Sequence, residues 1–444
     1  MQKIQQAVEK YRSLILDAEK FIWKHPETGY RERVTSQYME NAFEQLGYAL
    51  VRAENITGFY TQIDTGREGP TVLILGELDS IICPSHPDAD PVTGAVHSCG
   101  HHAQCAALLG IAAALTDPAV LEPLCGKIRL CAVPAEELLE IEYRRELKKQ
   151  GVIRYFGGKT EFLSRGYFDG VDLAFMVHTG DSFSVTQGSV GCIAKSITYK
   201  GVAAHAGGAP WNGRNALYAA SCGIQAVNAI RETFKEADII RFHPIITQGG
   251  DMVNAIPETA CLESYVRGKN YKGILEANRK INRALCGAAL SLGTNIEIVD
   301  IPGYAPLNND PNMVKLAKDA AALALPEYEF NVREHYGSGS TDMGDLSVIM
   351  PVVHPYAAGA EGRSHGNDYH VTDKEAACIE NAKWQLTMLK LLLENDAACA
   401  KDILASFTPT FASKEEFLSF LDGFNSEGDR ISYLDDGTAQ IRID

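Results

Sequence analysis

The chain has 444 residues, 45% of them hydrophobic, which is too long for one ordinary core and predicts two well-packed domains. A formal net charge of −16 leaves no excess of basic surface, so a nucleic-acid or anionic-membrane partner is not expected. The N-terminus lacks the apolar core of a signal peptide, and no stretch approaches the roughly 18 apolar residues of a membrane span. The 11 cysteines form no disulfide framework, and a soluble cytoplasmic protein with reduced thiols is expected.

Residues 1–48 read as a helix, a turn at His25-Pro26-Glu27-Thr28-Gly29, and a second helix over 34–46 that Gly47 ends. Apolar runs at 71–75, 128–133, 173–177 and 348–353 suit buried parallel strands, and helical patterns separate the first three. This alternation predicts an α/β layered domain. Glu77 and Asp79 follow the first run, Glu136 and Glu137 the second, and His178 the third. That is the carboxyl edge, where open α/β sheets place their sites.

Between about 193 and 304 the order becomes strand (193–199), helix (215–233), strand (238–246), strand (260–266), helix (271–292) and strand (294–300). This βαββαβ order predicts a ferredoxin-like domain inserted in the first. The expected division is 1–190 and 306–396 for the parent domain, 191–305 for the insertion, and 397–444 for a charged, turn-rich appendage.

Cys99 and His101 stand just ahead of an Ala- and Leu-rich helix over 102–115, a position that lowers a thiol's pKa. Glu136 and Glu137 are adjacent, so their side chains diverge, which suits one carboxylate binding metal while the other takes a proton. The plainer reading is a Glu pair opening a helix over 138–149, where the dipole favours it. His178 ends an apolar strand, and His365 lies in the loop Arg363-Ser364-His365-Gly366. Together these segments offer a thiolate, imidazoles and carboxylates enough to hold two transition-metal ions and keep a base free.

His25-Pro26-Glu27-Thr28-Gly29, Cys99-Gly100-His101, Pro134-Ala135-Glu136-Glu137, Ala204-His205-Ala206, Gly249-Gly250 with Asn254-Ala255-Ile256-Pro257, and Ser364-His365 occur in the order of the M20 metallopeptidase superfamily. The chain resembles most its amidohydrolase branch, which includes aminobenzoyl-glutamate, N-acyl-amino-acid and auxin-conjugate hydrolases. The resemblance runs from about residue 10 to residue 390. It implies a zinc-peptidase-like catalytic domain with a mixed, mostly parallel sheet, and an inserted lid and dimerisation domain. It also implies Cys99, His101, Glu137, His178 and His365 as ligands of two divalent metal ions, zinc or manganese with cobalt open, and Glu136 as general base. His205 would stabilise the tetrahedral intermediate, while Asn254 and Arg267 would face the substrate's carbonyl and carboxylate ends. Asp79 fits the role of orienting a ligating imidazole. Asp342 could do the same or cap a helix.

The implied activity is cleavage of the amide bond of a small N-acyl amino acid or dipeptide-like substrate by a homodimer. His102 stands where many relatives have Asp or Asn, Gln104 stands where they have His, and 80–96 is longer and richer in Asp and Pro. The changes at His102 and Gln104 keep open a non-catalytic binding protein on the same scaffold, the stretch 80–96 bears on the substrate and not on the metal site, and a second alternative makes Cys99 a nucleophile with His101 as its base.

Overall fold

The structure is a computed structural model that describes residues 1–424 and 428–443. The chain divides into two compact units. The first comprises Met1–Gly188, Leu307–Gly337 and Thr341–Lys414; the second comprises Ser189–Pro306, Ser338–Ser340 and the described residues from Glu415 onward.

The main sheet of the first unit runs in the order Val51–Arg52, Phe59–Asp64, Lys127–Val133, Thr71–Glu77, Leu173–Phe175, Val352–Val353. The first two pairings are antiparallel and the other three parallel. Thr71–Glu77 is buried throughout because both faces of the sheet are covered, which is why its sequence is a continuous apolar run. Against it packs the helix His101–Leu115, all of whose residues are buried. Gly76 permits the approach, since a β-carbon there would come within 3.2 Å of Leu108.

Several boundaries differ from the sequence expectation. The run at 348–353 is strand only over Val352–Val353, because Met343–Ser347 is a helix whose C-cap is Val348. The helix expected from 138 begins at Ile141, after left-handed backbone at Ala135 and Glu140. The first helix is two, Gln2–Lys10 and Arg12–Trp23, broken at Tyr11.

The second unit is an antiparallel sheet in the order Arg241–Phe242, Thr259–Gly268, Gly191–Lys200, Asn295–Pro302. Helices Ala216–Ala229 and Tyr271–Ser291 pack against it. Thr259–Gly268 alternates buried and half-buried residues, with Ala260, Leu262 and Val266 in the core. The strand expected at 238–246 is split into Arg241–Phe242 and Ile245–Gln248, with Pro244, which cannot donate to a ladder, between them.

The stretch from 397, expected as one appendage, is shared by the units. Helix Ala398–Ser406 buries Ala400 and Ile403 in the first core, whereas Ile431 is buried in the second. Among the described residues no helix is long and apolar enough to cross a membrane.

Candidate metal centre

Gly100 caps the start of the buried helix with φ +96°, a left-handed conformation that glycine adopts without strain. A side chain there would collide with the Tyr369 hydroxyl and with Thr179, so Cys99 and His101 are held on either side of a position only glycine can fill. Ala135, at φ +56°, redirects the chain leaving Lys127–Val133, and its N–H donates to Glu32 Oε1 at 2.8 Å. This turn delivers Glu136 and Glu137 to the carboxyl edge instead of into a helix.

Six predicted residues converge in the first unit. Cys99 Sγ lies 3.3 Å from His178 Nε2. His365 Nε2 lies 2.9 Å from Glu137 Oε1. Glu136 Oε2 is 3.9 Å from His101 Nε2. Three groups, Cys99-His101-His178, Cys99-Glu137-His365 and Glu77-His101-Glu136, could each hold a metal ion, the ligand atoms of each lying within 4.8 Å of one another. Cys99 belongs to the first two, so its thiolate could serve a cation in either group.

Asp79 underlies both groups. Its Oδ1 is 3.2 Å from His101 Nδ1, and its backbone carbonyl is 2.9 Å from the same nitrogen. With Nδ1 so engaged, Nε2 points into the cluster, where it is buried and makes no hydrogen bond. His178 is similarly oriented, Nδ1 lying 2.8 Å from the Thr179 carbonyl and Nε2 facing Cys99. A thiol, three imidazole nitrogens and a carboxylate aimed at one another fit divalent transition metals and little else.

The electrostatics agree. Burial and Glu137 would raise the Cys99 pKa, but His178 and His101 outweigh them and bring it to about 6. Burial also works against ionised Glu137, yet His365 beside it holds its carboxyl down at about 2. Glu137 in turn raises His365 to about 11. Glu136 goes the other way: burial first, then the Glu77 and Glu137 charges, push it well above the usual carboxylate range. The two adjacent carboxyls therefore differ in proton affinity, as a ligand and a base must.

A buried charge network beside the centre has no counterpart among the sequence expectations. Lys159, fully buried, donates to Glu77 Oε1 at 2.6 Å and to Asp342. Glu77 also accepts from Gln104 Nε2 at 3.0 Å, and its Oε2 is 3.2 Å from His101 Nε2. Asp342 thus joins Lys159 and makes no side-chain cap to the helix after it. His102 turns away from the cluster toward Glu19, 3.5 Å distant, and Trp23.

The remaining predicted residues lie in the second unit. His205 is exposed, and its Nδ1 accepts from the Gly207 and Gly208 amides at 3.1 and 2.9 Å. The Asn254 carbonyl accepts from Ala206 N–H at 2.9 Å, which ties the two loops together. Arg267 donates to Ser340 Oγ at 3.0 Å and lies over the Tyr265 ring.

A mixed α/β sheet with a largely buried cluster of side chains that could hold metal at its carboxyl edge, and a separate antiparallel α+β unit, fit a metallohydrolase acting on amide or peptide bonds. Residues 71–390 match the profile of "Peptidase family M20/M25/M40", and the chain belongs to that family. It is 27% identical over 386 residues to the mouse Xaa-Arg dipeptidase, covering 83% of this chain and 81% of that one. It is 26% identical over 327 residues to the N-acetyl-L-cysteine deacetylase of Bacillus subtilis, covering 70% of this chain and 72% of that one. The fold matches a dinuclear metal-binding peptidase of the M20 family, also from Bacillus subtilis, with a TM-score of 0.63 at 20% identity, over 87% of this chain and 99% of that one.

Proposed function

We propose that the protein cleaves the amide bond of a small N-acyl amino acid or dipeptide-like substrate, using two divalent metal ions held by Cys99, His101, Glu137, His178 and His365. The observation that carries this reading is the pair of ligand groups sharing Cys99, with Glu136 beside them in a third group with Glu77 and His101. When bound, the ions supply Lewis acidity toward a carbonyl and a water that ionises near neutral pH. Glu136 would accept a proton from the attacking water and return it to the leaving amine nitrogen. Asp79 keeps the His101 ring and the Glu137 backbone in register. His205 donates to the developing oxyanion, Asn254 binds near the carbonyl, and Arg267 takes the carboxylate. The position of Cys99 in both ligand groups speaks against its acting as a nucleophile.

A homodimer formed through the second unit accompanies this reading. Ile245–Gln248 pairs only with Thr259–Gly268 among the described strands, and Ile245 and Ile246 are exposed on it. Trp211 and Val253 in the same unit are exposed as well. An open apolar edge of this kind calls for a partner.

The test is hydrolysis of a panel of N-acyl amino acids and dipeptides after reconstitution with Mn, Zn or Co, read as released amine. Turnover that a chelator abolishes is the expected result; absence of turnover with every metal would overturn the reading.

A further inference from the structure

The turn His25-Pro26-Glu27-Thr28-Gly29 lies outside all three ligand groups, yet it is built against both strand ends that feed them. Its Glu27 carboxylate accepts from the Val34 and Thr35 amides at 3.0 and 2.9 Å, which satisfies the opening N–H groups of helix Arg33–Gln45 and fixes the turn to it. The Glu27 carbonyl accepts from Ser80 N–H at 2.8 Å, one residue beyond Asp79. At Gly29 a β-carbon would come within 2.5 Å of Arg144 Nη2 and 2.9 Å of the Ala135 Cα, so the turn meets the Glu136-Glu137 segment at a distance no larger residue allows. Thr28 Oγ1 donates to Glu140 Oε2 at 2.7 Å, and Arg31 Nη2 donates to Glu140 Oε1 at 3.1 Å. Arg31 also lies 3.7 Å from the centre of the Tyr143 ring.

These contacts hold the first turn of helix Ile141–Lys149, and that helix carries Arg144. Arg144 is buried, with its guanidinium over the Tyr30 ring. Its Nη1 donates to Phe156 O at 2.7 Å and reaches Ala135 O at 3.5 Å, while Nη2 donates to Glu137 O. Two of these carbonyls belong to the residues on either side of Glu136. Ala135 is left-handed, a conformation that a residue with a β-carbon keeps only where its surroundings over-determine it. Here they do, because its N–H donates to Glu32 and its carbonyl accepts from Gly158 N–H at 3.1 Å as well as facing Arg144.

We propose that Arg144 is a positioning residue for the Glu136-Glu137 pair, and that Glu140, bound by Thr28 and Arg31, is the latch that keeps it in place. This rests on the reading of Glu136 as base and Glu137 as metal ligand. Successive side chains are aimed by the backbone between them, so fixing the carbonyls before and after Glu136 fixes where both carboxylates point. A guanidinium suits this task, since its donors lie in one plane and address several carbonyls at once, whereas an ammonium is a single point. A displacement of about 1 Å at a reacting group costs on the order of 100-fold in rate, which is the scale of the effect expected.

The experiment uses the full-length protein and two variants. Arg144→Lys keeps the charge and loses the fork. Glu140→Gly opens the latch at a residue whose φ of +50° glycine adopts without strain, so this variant folds. Affinity for Zn²⁺ alone is read by competition with a chromogenic chelator, kcat and KM by released amine, and folding by urea denaturation. Arg144→Lys should weaken Zn²⁺ binding and lower kcat about 10- to 100-fold each, with KM nearly unchanged. Glu140→Gly should shift both in the same direction by a smaller factor, with an unfolding midpoint close to the parent's. Parent-like Zn²⁺ affinity and kcat in a folded Arg144→Lys would overturn the proposal, as would a rise in KM at constant kcat. Should Arg144→Lys fail to fold, Glu140→Gly decides alone, and parent-like values in it overturn the proposal. Weakened Zn²⁺ binding in the variants of a parent that hydrolyses no substrate would uphold Arg144 and remove the hydrolase reading; an active parent with unaffected variants would do the reverse.

Discussion

Asp79 Oδ2 accepts a hydrogen bond from the Glu137 backbone N–H at 2.8 Å, while Oδ1 of the same carboxylate lies 3.2 Å from His101 Nδ1. One side chain therefore sets the positions of two proposed ligands, one opening a helix and one following a strand. Asp79→Ala should weaken metal binding about 10- to 100-fold, the usual effect of losing a partner behind a ligand. Competition with a chromogenic chelator measures this, and unaltered affinity would remove Asp79 from the centre.

Glu136→Gln should keep the full metal complement and lower kcat by about 100- to 10,000-fold, because the amide cannot accept a proton. Elemental analysis alongside steady-state assay separates the two effects. Turnover close to that of the parent protein would exclude Glu136 as the base.

Cys99→Ala removes the atom common to both ligand groups. Both ions should be lost or weakened together, so metal stoichiometry should fall by more than one per chain. Loss of a single ion would mean that the thiolate serves one site only.

Lys159 lies between Glu77 and Asp342 with no exposure of any of the three side chains. Lys159→Met should destabilise the first unit by about 3–5 kcal/mol, the cost of leaving buried charges unpaired. Urea unfolding reads this directly. Adding Glu77→Gln and Asp342→Asn should restore part of the loss, and a failure to recover anything would show that the lysine acts through packing alone.

Glu32 is buried, accepts from the Ala135 N–H and from Thr57 Oγ1, and is raised to about 8 by burial and then by the Asp79 charge. A carboxyl whose folded pKa exceeds its unfolded one contributes stability that is complete below the unfolded value and lost as pH rises through the folded one. Between about pH 4.5 and 8 this group should lower stability by at most about 1.4 kcal/mol per pH unit. Glu32→Gln should flatten that slope in denaturation series from pH 5 to 9. An identical slope in both proteins would refute the account.

Much of the centre is legible in the sequence because strand-end chemistry and apolar runs are local signals. Cys99 and His101 stand at the start of an Ala-rich helix, and Glu136-Glu137 follow a strand, both visible without coordinates. Lys159 is different. It sits in Gly158–Ser164, where no local pattern marks the lysine as buried, and only tertiary packing places its amine between two carboxylates. The late start of the helix at Ile141 is equally hidden, since nothing in the Glu-Leu-Leu-Glu stretch announces the left-handed backbone at Ala135 and Glu140. Pro244, in contrast, is a visible reason to divide the strand expected at 238–246.

The helix His101–Leu115 has no solvent-facing side. A segment without an amphipathic stripe gains nothing from partial docking; it becomes favourable only when neighbours enclose it all round. Its first residue is also a proposed ligand, so the metal site cannot take shape before that enclosure is complete. Loading of the ions would then act as a receipt for finished folding, and a chain trapped short of its native packing would be apo regardless of how much metal surrounds it.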